Sequence, residues 1–199
     1  MKNKNILLAI ALIVLTAAFR IANAELHFWN LAPVAALGLF SGAVLKDKRL
    51  AFLLPLLATL ASDIYFQFFT NTPGFYGVNQ AFVYGAMLLI TLMGTKMGEP
   101  KALKIAGFSI AGSLIFFILS NFGMWAQQIA TPPAQRIYSA DLSGLGQTFL
   151  MALPFYSGFG TSAFFNALIG DLLFCGILFG AYAVLKARAT APTVNHARL

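Results

Sequence analysis

The chain has 199 residues, of which 59% are hydrophobic and 10% are charged, and its mean hydropathy is +0.79. Soluble globular proteins carry about 25% charged residues, so this composition excludes a soluble globular domain and predicts an integral membrane protein. The formal net charge is +7. Because the cations are distributed along the chain among the apolar stretches and do not form one patch, we expect no nucleic-acid partner.

Six apolar stretches follow one another along the chain. A membrane-spanning helix needs about 20 mostly apolar residues, and the second and fourth stretches, at about 15 residues each, are short for a span. We predict an all-α, polytopic membrane protein whose single transmembrane domain, 1–199, is a compact bundle of about six helices. The predicted spans are residues 6–22, 31–45, 50–69, 81–95, 105–125 and 162–185, with a short interfacial helix at about 144–153.

The Lys and Arg residues predict the orientation, since loops rich in these residues stay in the cytoplasm. All thirteen except Arg20 and Arg136 precede the first stretch, follow the sixth, or lie in the loops after the second and the fourth. This pattern places both termini in the cytoplasm and the two remaining arginines towards the extracytoplasmic side. We expect a multi-pass protein of the bacterial inner (cytoplasmic) membrane, in contact with the lipid bilayer.

The segment from Thr16 to Leu26, TAAFRIANAEL, has two interpretations. Ala22-Asn23-Ala24 before Glu25 has the small-x-small form of a signal-peptidase site, which would remove residues 1–24 and leave five spans. The presence of Arg20 close to that site favours a retained helix instead. In a retained helix, the guanidinium of Arg20 needs a partner near the outer end of the bundle.

Polar side chains concentrate in the outer halves of the predicted spans and in the outer loops, whereas the inner halves are nearly all apolar. Hydrogen-bonding groups that converge from several helices indicate a pocket open to the extracytoplasmic face. The candidate ligand-binding residues are Arg20, Asn30, Asp63, Tyr76, Gln80, Tyr84, Asn121, Trp125, Asn166 and Asp171.

Two carboxylates lie within predicted spans, where an ionised Asp at a helix centre costs about 2.5–3.5 kcal/mol. Asp63 adjoins the polar outer cluster and contacts either a ligand or coupling ion, or Arg20 in a structural pair. Asp171 lies deeper, among Leu and Phe, which favours a structural role. We therefore expect Asp63→Asn to weaken ligand binding more, and Asp171→Asn to lower detergent stability more.

Aromatic residues near the outer end also have two interpretations. Tyr76, Gln80 and Tyr84 recur every four residues, which predicts one face of a helix entering the fourth span. This face is either a stacking wall for a flat organic ligand or a surface for lipid and helix packing. Trp125 fits an interfacial anchor as well as a ligand contact. The long polar segment 127–147 suggests a lid or gate.

Residues typical of catalysis and metal binding are sparse. The only histidines are His27 and His196, and no Ser/His/Asp set has a convincing spacing. Cys175 lies one turn after Asp171 in an apolar helix, which is typical of a buried structural thiol. No phosphate-binding loop or dinucleotide motif occurs. We predict that the protein is not an enzyme, has no cofactor or metal, and has no ATPase of its own.

Several stretches resemble those of an uncharacterised family of bacterial six-helix membrane proteins, which in turn resembles the substrate-binding S components of energy-coupling factor vitamin transporters. The similarity extends from about Trp29 to Phe179. The stretches are WNLAPVAALGLFSGA, LPLLATLASD, SNFGMW and LPFYSGFGTSAFFNALIGDLLF. The positions that match are Asn30, Pro33, Ser62, Asp63, Asn121, Trp125, Pro154, Phe155 and Asp171, none with a chemical role that transfers.

The resemblance implies a transport protein that captures a vitamin-like nutrient near its extracytoplasmic end, with an energy-coupling transmembrane and ATPase module as its partner. One departure concerns the Ala-x-x-x-Ala docking pattern expected on the first helix. Here Ala18 and Ala22 have that spacing at the outer end, and Ala32 and Ala36 repeat it on the second span. The alternative from another class is a structural or assembly subunit of a membrane complex without a ligand of its own.

Overall fold

The computed structural model describes the backbone of residues 2–28, 31–153 and 163–190. This part of the chain forms seven α-helices, one 3₁₀ turn and connecting loops, which confirms the all-helical class. Asn30, Pro154 and Phe155 lie outside the described residues. The helices are α1 (Lys2–Glu25), α2 (Val34–Val44), α3 (Lys48–Phe69), α4 (Val78–Lys96), α5 (Ala102–Ala130), α6 (Leu142–Met151) and α7 (Ala163–Thr190), with the 3₁₀ turn at Pro133–Gln135.

Five of the described helices, α1, α3, α4, α5 and α7, are long and apolar enough to cross a membrane. This agrees with the membrane-protein class indicated by the composition. The second predicted span is an 11-residue helix, α2. At 1.5 Å per residue it is about 16 Å long, or roughly half of a 30 Å hydrocarbon core. A count of six spans and cytoplasmic termini therefore stay predictions.

Helix α2 lies at the centre of the bundle and packs against α1, α3, α4, α5 and α7. Nine of its eleven residues are buried, as expected for a helix that is apolar on every side. Helix α2 approaches α4 closely because each helix has a glycine where the two are in contact. A Cβ atom at Gly94 would collide with the carbonyl oxygen of Leu39, and one at Gly42 would collide with that of Thr91.

Helix α3 contains Pro55, which cannot donate a hydrogen bond to the carbonyl of Ala51 one turn earlier. The hydroxyl of Ser41 on α2 donates to that carbonyl oxygen instead, at 2.8 Å. Both residues are buried, so no water is needed to satisfy the freed carbonyl. The proline thus ties α3 to the central helix without leaving a polar group unpaired.

Helix α1 packs mainly against α3 and leaves many apolar side chains on its outer surface, including Leu7 and Val14. Such a surface suits contact with lipid chains. Helix α5 continues to Ala130, so the loop before α6 covers residues 131–141 and is shorter than the predicted loop 127–147. Helix α5 ends where Pro132 and Pro133 disfavour further helical turns.

Candidate ligand-binding cavity

A cavity of about 520 Å³ lies between the helices at one end of the bundle. Its lining comes from the C-terminal halves of α1, α3 and α5, the N-terminal halves of α2, α4 and α7, the loops before α2 and α4, and Ala152 after α6. The basic loops between α2 and α3 and between α4 and α5 join the opposite helix ends. The cavity therefore occupies the end of the bundle at which the polar residues were expected to converge.

Arg20 reaches from α1 into this end of the bundle and lines the cavity. Its Nη1 donates to Asp63 Oδ1 at 2.5 Å, to the Ser62 hydroxyl at 2.5 Å and to the Thr59 carbonyl at 3.2 Å. The guanidinium carbon also lies 5.2 Å from the ring centre of Phe66. All hydrogen bonds of Arg20 to described residues leave from Nη1, so its Nε and Nη2 donate to none of these residues.

Asp63 is fully buried behind Arg20 and is not part of the cavity lining. Besides the bond from Arg20, its Oδ2 accepts a hydrogen bond from the Tyr84 hydroxyl at 2.8 Å and one from Gln80 Nε2 at 3.4 Å. One carboxylate thus joins α1, α3 and α4. A buried ion pair in which both carboxylate oxygens accept hydrogen bonds is the arrangement in which Coulomb attraction offsets desolvation best.

Tyr76 lies in the loop before α4, so the prediction that Tyr76, Gln80 and Tyr84 share one helix face was wrong for Tyr76. The reason is Gly77, whose φ of +66° is a left-handed conformation that stops the helix from starting earlier. Tyr76 lines the cavity, whereas Gln80 and Tyr84 face Asp63. Burial, together with the nearby Asp63 carboxylate, raises the pKa of Tyr76 to about 12. The phenol is therefore neutral at physiological pH.

Asp171 lies on α7 at the inner end of the cavity and is one of its lining residues. The side chain is buried, and its Oδ2 accepts a hydrogen bond from the Ser113 hydroxyl of α5 at 2.7 Å. Its Oδ1 accepts no hydrogen bond from the described residues. Asp171 and Asp63 therefore differ in their surroundings, because Asp171 lines the cavity and has one carboxylate oxygen that no described residue bonds, whereas both oxygens of Asp63 accept hydrogen bonds.

The remaining predicted residues occupy different positions. Asn121 lines the cavity and donates to the Phe117 carbonyl at 2.7 Å. Trp125 is not in the lining, and its indole N–H donates to the carbonyl of Asp141 at 2.9 Å, which holds the loop before α6. Asn166 is buried on α7 outside the lining. A ligand-binding role for the predicted set stays a prediction.

Asn79 lines the cavity although the sequence did not single it out as a ligand-binding residue. Its side chain is buried, and its Oδ1 has no hydrogen-bond partner among the described residues. Asn79, Val83 and Met87 follow one another at four-residue intervals and all line the cavity. The four-residue spacing of Asn79, Val83 and Met87 is visible in the sequence. Gln80 and Tyr84 on the neighbouring helix face have the same spacing, so the sequence does not show which face lines the cavity.

The cavity walls combine the polar lining residues described above with apolar and aromatic side chains. This composition is typical of sites that bind small organic molecules. Among the described residues no group of three or more His, Cys, Asp and Glu could hold a metal ion. The apolar and aromatic part of the lining includes Phe28, Phe66, Met87, Phe116, Phe117 and Met124.

Comparison with known protein families places the chain in one of them. Residues 1–194 match the profile of a family of unknown function, DUF6580. The chain belongs to this family. No curated protein and no solved structure matches this DUF6580 member.

Proposed function

We propose that this DUF6580 protein is a membrane transport protein, similar to an S component, that binds a small nutrient or vitamin-like molecule from the extracytoplasmic side. The observation that carries the proposal is the cavity of about 520 Å³ at the bundle end opposite the basic loops. Sites for small organic ligands have volumes of about 300–1,000 Å³. A bundle with only a structural role has no need for an open space of this size.

The proposal includes the orientation. Cationic loops between α2 and α3 and between α4 and α5 face the cytoplasm, so the cavity faces outward and both termini lie inside. The protein then belongs to the bacterial inner membrane and has six membrane helices, of which α2 crosses only part of the bilayer. Transport across the bilayer requires a further conformational step, for which an energy-coupling transmembrane and ATPase module is the partner we propose.

The proposal also requires that α1 is retained, because α1 supplies Arg20. Removal of residues 1–24 at the Ala22-Asn23-Ala24 site would take away the partner of Asp63 and one side of the cavity. A buried carboxylate that loses its cation is strongly unfavourable. The mature protein should therefore retain the whole of α1.

The experiment that tests the proposal is native mass spectrometry of the full chain purified in mild detergent. We expect the mass of the uncleaved chain plus a bound small molecule, which is then released and identified. The variant Ser120→Phe places a ring at a cavity-lining position and should abolish the bound mass. Its matched control is Ser143→Phe, at an exposed position on α6 outside the cavity. A bound mass that Ser120→Phe leaves unchanged would contradict the proposal.

The alternative is a structural or assembly subunit of a membrane complex, and the Arg20–Asp63 network favours it. In that network polar groups of three helices satisfy one another without any ligand. The alternative predicts no bound small molecule and co-purification of a defined membrane protein. The same mass spectra distinguish the two functions.

A further inference from the structure

The two carboxylates inside the bundle differ in how far the protein compensates their charge. Asp63 has the Arg20 guanidinium and two further donors. Asp171 has the neutral hydroxyl of Ser113, and no Lys, Arg or His side chain of the described chain lies within 4.0 Å of its carboxylate. Burying a carboxylate without a cationic partner costs free energy. A positively charged group at the inner end of the cavity would therefore stabilise Asp171.

Two phenylalanines follow Ser113, the hydrogen-bond donor to Asp171, along α5. Phe116 and Phe117 follow Ser113 by three and four positions, so they lie one helical turn, about 5.4 Å, from Ser113 towards the outer end. Both rings line the cavity. Organic cations bind to the faces of aromatic rings as well as to carboxylates, and each contact strengthens when water is excluded.

Small residues leave Asp171 accessible from the cavity. Ala167 precedes it by one turn on α7, and Ala35 of the central helix also lines this region. Neither side chain can donate a hydrogen bond to the carboxylate or cover it. In the described part of the lining, Ala35, Ala167, Phe116 and Phe117 thus accompany Asp171, and none of these four residues is ionisable.

We infer that the ligand of this cavity is an organic cation, whose protonated amine or quaternary nitrogen contacts Asp171 and whose apolar or aromatic body packs on Phe116 and Phe117. This inference rests on the proposed function, since it defines the ligand chemistry of the same cavity. Arg20 also lines the cavity, and its Nε and Nη2, which donate to no described residue, can donate to an acceptor group elsewhere on the ligand.

Three indole compounds of similar size test the inference on the full-length wild-type protein in detergent. Tryptamine is a cation, tryptophol is neutral and indole-3-acetate is an anion. We expect tryptamine to raise the unfolding temperature at a concentration at least about tenfold lower than the concentration of either other compound that gives the same rise. The reason is that a charge-assisted hydrogen bond is worth about twice a neutral one. Equal or stronger stabilisation by tryptophol or indole-3-acetate overturns the inference, and so does the absence of stabilisation by all three.

Two carboxylate-to-amide variants locate the effect. Asp171→Asn should remove the advantage of tryptamine over tryptophol, whereas Asp141→Asn should keep it. Asp141 is exposed and caps α6, a position where Asn is equally suitable. If Asp171→Asn does not fold, the wild-type comparison decides alone. Stabilisation by sodium chloride but not potassium chloride, lost in Asp171→Asn, would identify an inorganic cation site and overturn the inference.

Failure of this inference is distinguishable from failure of the proposed function. A bound neutral or anionic molecule that Ser120→Phe displaces supports the cavity as a binding site and overturns only the cationic ligand. Absence of any bound molecule in native mass spectra, together with no response to the three indoles, overturns both.

Discussion

At the scale of single residues, Arg20 and Asp63 depend on each other. Asp63→Asn leaves the guanidinium without a counter-ion and replaces an acceptor by a group that also donates. Breaking a buried pair costs about 3–5 kcal/mol, and we expect about half of that here because Arg20 is 23% exposed. Thermal unfolding in detergent measures the loss. The double variant Arg20→Met, Asp63→Leu should be more stable than Asp63→Asn alone.

The positions of Asp63 and Asp171 in the structure predict the opposite effects of their Asn variants from those expected from the sequence. Asp63 is fully buried outside the cavity lining, while Asp171 lines the cavity and its Oδ1 accepts no hydrogen bond from the described residues. Asp63→Asn should therefore lower stability more, and Asp171→Asn should weaken ligand binding more. A thermal-shift series on both variants, with and without the co-purified ligand, checks this order. The opposite order would restore the expectation from the sequence.

Tyr76 offers a pH test at the cavity. Its pKa is raised from 10.0 to about 12 by burial and by the Asp63 carboxylate. A group with a raised pKa in the folded state stabilises the fold below its unfolded pKa, and that stabilisation is lost as the pH rises from 10 to about 12. We expect Tyr76→Phe to leave phenolate absorbance at pH 11 unchanged and to flatten the decline in stability over this interval. A fall in absorbance at pH 11 would contradict a raised pKa.

At the scale of helices, the glycine contact between α2 and α4 sets how closely the two helices approach. Gly94→Ala forces a methyl group against the carbonyl of Leu39, and overpacking of this kind costs about 1–3 kcal/mol. Gly85→Ala on the same helix is the matched control, since nothing lies within 4 Å of its Cβ position. We expect Gly94→Ala to lower the unfolding temperature and Gly85→Ala to leave it unchanged or slightly higher. Equal effects of both variants would show that the close approach is unimportant.

At the scale of the whole molecule, the orientation of the cavity can be tested directly. In a Cys175→Ala background, cysteine is introduced at Ala134 in the loop before α6 or at Lys101 before α5, both exposed. A membrane-impermeant maleimide should label Ala134→Cys in spheroplasts with an intact inner membrane and Lys101→Cys only after permeabilisation. The reverse pattern would place the cavity towards the cytoplasm and exclude uptake from outside.

The sequence by itself determined the class of this protein and the end of the bundle at which its polar residues gather. Hydropathy and the positions of lysine and arginine act locally along the chain, so they can be read without any knowledge of packing. The sequence also indicated Arg20 and Asp63 as a candidate ion pair, because a charged side chain within a membrane span needs a partner.

Only the tertiary structure decided which polar groups satisfy each other and which line the cavity. Asn79 and Gln80 are adjacent in the sequence, yet one lines the cavity and the other donates to Asp63. Successive helical positions differ by about 100° in direction, so a small rotation of α4 exchanges their roles. That rotation is set by glycine contacts with α2 and by Gly77. These contacts join residues far apart in the chain, and no local pattern encodes them.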